Sequence, residues 1–289
     1  MDNTEQQLPR VVYTPEKGLV HPWRFVLFLL RDIFSRDSRE LARRMMIRNI
    51  NAKYRQSLLG LAWIFLPALI NALIWVFLNR TSALTVAETS VPYPVFAVSG
   101  TILWQIFSLS IVEPITAIKR EKALLTKVNI PREALLMSGI GELIINSFVQ
   151  FLILIPVFLW FHVSLSWCIL LVPFAVVALI AAGFSIGLIL TPIGVLYDDI
   201  GKAIPILTRF WFFLTPVVYP IPENTLAATI FRLNPATSLI TTARELLTGQ
   251  PITELAALFL VIGGMAGLSV VGLVFYRLTM PVIIERMSA

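Results

Sequence analysis

Long uncharged stretches separated by short polar ones dominate this chain. Positions 58–78 carry no charge, and neither do 89–112. Positions 143–197 are also free of charge, too long for one helix crossing about 30 Å of hydrocarbon, so the segment must double back. His162, Val163, Ser164, Leu165 and Ser166 mark the reversal and divide it into a third and a fourth span. A fifth span is predicted over 203–219 and a sixth over 255–276. The pattern is that of an all-α integral membrane protein with six transmembrane helices.

The polar stretches predict further helices. Over 38–57, Arg44, Arg48, Asn51 and Arg55 share one face while Ile47, Ile50, Tyr54 and Leu58 form the neighbouring stripe. This is an N-terminal amphipathic interface helix whose basic face is solvated or rests on anionic lipid. Before it the chain is polar and punctuated by Pro9, Pro15 and Pro22, so positions 1–57 form a cytoplasmic segment and 58–289 the membrane domain. The loop after span two opens at Glu113-Pro114 and closes at Asn129-Ile130-Pro131. Within it, 117–127 lacks Gly and Pro and reads as a short protruding helix. Asn234 as N-cap, Pro235 at the first helical position and Gly249 past the end predict another helix. Its stripe of Leu239, Ile240, Ala243, Leu246 and Leu247 leaves Thr241, Thr242, Arg244, Glu245 and Thr248 on the surface. Short re-entrant helices between spans five and six, dipping into or lying along the outer membrane surface, are expected.

Composition narrows the class. With 57% hydrophobic and 14% charged residues and a mean hydropathy of +0.81, an ordinary soluble domain is excluded. The single Cys168 precludes a disulfide framework, and His21 and His162 without clustered Cys give no zinc or haem spacing, so no metal is expected. Trp23 to Leu30 is broken by Arg24 and lacks a cleavage pattern, so it is not a signal peptide. Lys and Arg crowd the positions before Leu58 and recur at Lys119, Arg120, Lys122, Lys127, Arg132, Lys202, Arg209, Arg277 and Arg286. The other side holds only Arg80, Arg232 and Arg244. The positive-inside rule therefore places both termini in the cytoplasm, and the net +6 is a membrane-surface charge that implies no nucleic acid.

Catalytic motifs dissolve on inspection. Gly183-Phe184-Ser185-Ile186-Gly187 has the spacing of a nucleophile elbow, but Ser185 sits mid-span without a strand-turn-helix setting. Gly183 with Gly187, and Gly263 with Gly267, read as small-residue faces for close helix packing. Gly201-Lys202 is followed by Ala203, so there is no phosphate loop. Asn79-Arg80-Thr81 is a chance sequon at the membrane edge. No catalytic residue is expected. Glu142, Asn146 and Gln150, four apart, share a face of span three that cannot point at lipid; it is either an interhelical hydrogen-bonded seam or a conduit wall or proton relay. Trp63 and Trp75 lie near the ends of span one, as interfacial belts require. Trp104, Phe107 and the run Phe210-Trp211-Phe212-Phe213 lie deeper, where they serve either as core or as stacking faces for sugar rings.

Three stretches together resemble the permease subunits of ABC exporters for lipid-linked polysaccharides such as O antigens, capsules and teichoic acids. The first is Arg48-Asn49-Ile50-Asn51-Ala52-Lys53-Tyr54-Arg55-Gln56-Ser57-Leu58-Leu59-Gly60-Leu61-Ala62-Trp63, followed by Pro67. The second runs from Leu124 through Thr126-Lys127-Val128-Asn129-Ile130-Pro131 to Glu133, and the third is Thr215-Pro216-Val217-Val218-Tyr219-Pro220 with Asn234-Pro235 downstream. The resemblance implies a homodimeric half-transporter in the bacterial cytoplasmic (inner) membrane that pairs with two copies of a separate ATPase. ATP and Mg would be bound there and not in this chain. It also implies an ATPase-coupling role for Lys119, Arg120, Glu121, Lys122, Thr126 and Lys127. Conduit aromatics would be Trp63, Trp104, Phe107, Trp211, Phe213 and Tyr219, with Arg48, Lys53 and Arg55 guiding a lipid pyrophosphate at the entrance. Two alternatives stay open: a permease of the same fold for a small amphipathic drug or lipid, and a membrane enzyme acting on lipid-linked sugars. For the second, Asp198-Asp199 is the only carboxylate pair on offer.

Overall fold

A computed structural model describes residues 35–55, 60, 62–81, 88–125, 130–164, 166–221 and 226–288. The N-terminal 34 residues, the start of the predicted first span at 58–59, and Thr126 and Lys127 lie outside the described residues. Among the described residues every regular element is a helix. In order these are α1 (Arg36–Tyr54), α2 (Ala62–Arg80), α3 (Tyr93–Arg120), the single turn α4 (Lys122–Leu125), α5 (Arg132–Phe151) and α6 (Leu154–Trp160). A 3₁₀ turn (Trp167–Leu171) then leads into α7 (Val172–Leu196), α8 (Asp198–Phe213), α9 (Leu226–Leu233), α10 (Pro235–Thr248) and α11 (Leu255–Ser288).

Among the described residues, five stretches are long and apolar enough to cross a membrane: α2, α3, α5 with α6, the 3₁₀ turn with α7, and α11. The expected fifth span, α8, has 16 residues and an internal Pro205. At 1.5 Å per residue it reaches about 24 Å, short of the about 30 Å a helix must cross by itself. It stops early because the Thr215–Tyr219 stretch is held in an irregular turn. The reversal expected at 162–166 is present: His162 takes a φ of 51° and the Val163 amide donates to Phe158 O.

The core is organised around α3, 78% of whose apolar window is buried. Its neighbour α7 approaches along the glycines singled out above. A Cβ on Gly183 would lie 2.6 Å from Phe107 O, and one on Gly187 would lie 2.2 Å from Ile111 O. No larger residue fits, so backbone meets backbone and dispersion contacts accumulate along both helices. Among the described residues, nothing lies within 4 Å of a Cβ placed on Gly263 or Gly267, so that face of α11 is open there.

Two boundaries differ from the sequence reading. α3 runs straight through Glu113-Pro114 to Arg120, so the predicted loop helix over 117–127 is divided between the end of α3 and the turn α4. Pro114 removes one backbone donor, but it is buried in the core, and that packing outweighs the local preference. α11 likewise continues past 276 to Ser288. α1 does not simply rest on lipid: it packs on α5, where Gly141 makes room for Met46, whose Sδ would stand 2.4 Å from an added Cβ.

α10 has the predicted caps. Asn234 Oδ1 accepts from the Ala236 amide at 3.0 Å, Pro235 opens the helix, and Gly249 closes it at φ 70°. Its polar flank, expected on the surface, is buried, with Arg244 5% and Glu245 9% exposed. Internal partners make this possible: Glu245 accepts from the Thr253 amide and hydroxyl at 3.1 and 2.6 Å. α10 is therefore a packed element against α3, α7 and α11.

Candidate functional site

The charged residues expected to matter gather at one end of the bundle, where α3 finishes. The backbone turns out of helix at Glu121 (φ −101°), and α4 follows. Successive helical residues point about 100° apart, and the last three of this segment reach three different elements. Lys119 Nζ donates to Asp198 Oδ1 at the start of α8 at 2.6 Å. Arg120 Nη1 donates to Glu142 Oε1 of α5 at 2.6 Å, with Nη2 3.5 Å from Glu113. Glu121 accepts from Arg48 Nη2 of α1. Asn49 Nδ2 adds a second bond to Glu142 Oε1 at 2.9 Å.

The exposures rank these contacts. Asp198 is 81% exposed, so water screens its pair with Lys119 and the contact adds little to stability. The ammonium nevertheless holds the Asp198 carboxyl below the usual carboxylate range. Glu142 and Glu121 are buried, 7% and 9% exposed at the side chain. Stripping either of its arginine would strand a charge, at a cost below the about 3–5 kcal/mol of a fully buried pair, since both arginines keep some water.

Arg48 is thus turned onto Glu121, while Lys53 and Arg55 are exposed near the end of α1. Of the residues expected to meet an ATPase, Lys119, Arg120 and Glu121 are engaged within the chain and Lys122 is exposed. Glu142 belongs to this charged end, while Gln150 is fully buried two turns along the same helix. Ser185 donates to Ala181 O and pairs with Ser269 Oγ, as a packing seam does. No group of three or more metal-binding side chains occurs among the described residues.

The aromatic set divides. Trp104, Phe107 and Trp211 pack together, with Phe107 5.4 Å from Trp211 edge-on and 5.6 Å from Trp104. Phe212 joins at 5.9 Å from Trp104, and Trp75 lies 6.3 Å from Phe212. Trp104 and Phe107 are buried, so this is a closed cluster pinning α8 to α3 and α2. Trp63 and Phe213 are instead more than half exposed, each at 56%. Tyr219 is half-buried, its hydroxyl donating to Phe213 O and its ring edge-on to Phe231 at 5.8 Å.

At the end of α8, the residues of the third resemblance stretch come together. Asn234 Nδ2 donates to Leu214 O and Thr215 Oγ1 at 2.9 and 2.8 Å, and its Oδ1 accepts from Trp211 Nε1 at 3.0 Å. Tyr93 Oη donates to Val218 O at 3.0 Å. The sequence reading missed the central member, Arg244. Its guanidinium donates to Pro216 O at 3.1 Å and to Val217 O at 2.5 Å, and it lies 3.8 Å over the Phe96 ring. Gly100 beneath leaves the space, since a Cβ there would stand 2.0 Å from Val217 O. A lone Arg inside a doubly capped helix was the available signal.

Comparison with known proteins adds the relationships. A family model described as ABC-2 type transporter matches residues 40–248, from within α1 to the end of α10. The O-antigen export system permease protein RfbA of Myxococcus xanthus is 30% identical over 250 residues, covering 81% of this chain and 92% of that protein. Two proteins of the same description from Klebsiella pneumoniae are each 24% identical, over 69% and 80% of this chain and 76% and 88% of their own lengths.

Proposed function

Because this chain belongs to the ABC-2 type transporter family, we propose that it is the permease half of an ATP-driven exporter for a polyprenyl-pyrophosphate-linked polysaccharide, an O antigen or related glycan. The observation that carries this reading is the match to an O-antigen export permease over 92% of that relative's length. The chain is a multi-pass membrane protein, and the proposal sets it in the bacterial inner membrane with both termini cytoplasmic. α8 and the turn after it complete a sixth crossing, and α9 and α10 are re-entrant helices at the outer face. Two copies assemble with two copies of an ATPase that binds ATP and Mg.

In this arrangement the charged end faces the cytoplasm. The exposed Lys122 on α4, with Thr126 and Lys127 beyond, offers the ATPase its contact. Lys53 and Arg55 receive the lipid pyrophosphate, since guanidinium binds phosphate oxygens in pairs, and Arg48 sets the helix that carries them. The exposed Trp63 and Phe213 offer sugar-stacking faces, with Tyr219 at the outer turn, and the Trp104, Phe107 and Trp211 cluster backs the wall. Glycan polymerised on its lipid would enter at the cytoplasmic face and leave past the outer turn, with no covalent bond made or broken by this chain.

The test is deletion of the chromosomal copy with extraction of lipid-linked glycan, paired with native mass spectrometry of the complex. Glycan retained inside on its lipid carrier, and a two-plus-two complex with a Walker-motif ATPase, are expected. Unchanged surface glycan, or a chain that purifies with no ATPase, would overturn the reading. A second reading, export of a small amphipathic lipid by the same fold, draws on an apolar groove of about 340 Å³ between α5, α7 and α11 lined by Ile140, Ile144, Val177 and Phe184. Photo-crosslinking from Ile144 to lipid cargo, in place of glycan retention, would favour it.

A further inference from the structure

Lys119, Arg120 and Glu121 are consecutive, and each grips a different helix. A rod ending in three diverging contacts passes a displacement of its tip to three bodies at once. The contacts are unequal. α1 is held twice, by Glu121 through Arg48 and, via Glu142, through Asn49. α5 is held by Arg120 through a carboxylate that is nearly dry. α8 is held by one exposed contact at its first residue, Asp198, whose side chain is open to water.

That contact is too weak to matter for folding, but its position is specific. Lys119 lies across the opening turn of α8, and a Cβ on Gly201 one turn along would come within 3.2 Å of its Nζ. α8 is also the helix whose far end carries Trp211, Phe212 and Phe213 and runs into the turn held by Asn234 and Arg244. Asp198 and Phe213 are the two ends of one helix, so a grip on the first turn acts on the element that carries the last.

Resting on the ATP-driven permease reading above, we propose that the Lys119–Asp198 contact is the arm by which the end of α3 positions α8 during export. Lys119 and Asp198 are positioning residues: neither meets the glycan, and Asp198 acts through α8.

The test uses the complete complex of permease and ATPase in proteoliposomes, with Asp198→Lys, Lys119→Asp, the double swap, and the neighbouring Asp199→Asn as control. ATP hydrolysed and glycan exported are measured on the same vesicles. With Asp198→Lys, export is expected to fall about tenfold while hydrolysis falls less than about twofold, a loss of coupling of ordinary allosteric size. The double swap should recover at least about half of the export, which a purely structural loss would not. Export unchanged in the single variants, or no recovery in the swap, overturns the proposal. So does loss of the ATPase from purified Asp198→Lys complex, or an equal defect in Asp199→Asn, either of which makes this corner a direct ATPase contact. Failure of the exporter reading itself shows separately, as absence of ATP-dependent export in the parent complex.

Discussion

A few side chains fix the geometry at each end of the bundle, and Asn234 shows how differently they read from sequence and from structure. As an N-cap before Pro235 it is legible, because only a short acceptor side chain serves the free amides there. Its other three bonds, to Trp211 Nε1, Leu214 O and Thr215 Oγ1, join segments about twenty positions apart and leave no local trace. Asn234→Ala should therefore cost about 2–4 kcal/mol, beyond the about 1 kcal/mol of a cap alone, because it strands the indole N–H and a carbonyl. Asn234→Asp keeps the acceptor and loses the donors, and should fall between. Thermal unfolding of the purified permease in detergent gives the order, and equal losses in the two variants would refute it. For Arg244 the lone charge in a capped helix could mark the residue but not its role, because its partners are backbone carbonyls of another segment.

The helices themselves were mostly legible, since uncharged length reveals a span and cap chemistry marks α10. Their ends were not. Glu113-Pro114 has the composition of a loop, but Glu113 meets Arg120 two turns on and Pro114 sits in the core, so α3 continues. The glycines of α7 were read correctly as a close-packing face, and those of α11 find no partner among the described residues. Gly187→Val must push α3 and α7 apart, an overpacking cost of about 1–3 kcal/mol or more, whereas Gly267→Val meets open space. Fluorescence-detected size exclusion after heating should show the first variant melting lower than the parent and the second matching it. A parent-like Gly187→Val would mean that the two helices are not in backbone contact.

For the whole molecule the notable quantity is unevenness: α3 is 78% buried across its apolar window, α2 17% and α11 6%. Such open apolar faces suit lipid or a second copy, and the proposed conduit must run along one of them. In a Cys168→Ser background, Phe213→Cys on the conduit side is expected to react with a charged, membrane-impermeant maleimide, while Phe259→Cys on α11 is expected to stay unlabelled. Equal reactivity would remove Phe213 from the conduit. Hydropathy made the number of apolar segments readable but overestimated α8, because a tethered turn ends that helix and tethering depends on the rest of the fold.

One helix spans the distance between the two ends. α3 has 28 residues, about 42 Å at 1.5 Å per residue, and it bears both Gly100, beneath the carbonyls held by Arg244, and Arg120 at the charged end. On the exporter reading, the outer turn and the nucleotide then share one free-energy balance. Thermodynamic linkage requires influence in both directions: if ATP in the partner loosens the outer turn by some factor, fastening that turn must weaken ATP by the same factor. An inhibitor acting wholly from outside the cell would therefore be legible inside it, as a shifted nucleotide affinity measured on a subunit it never touches.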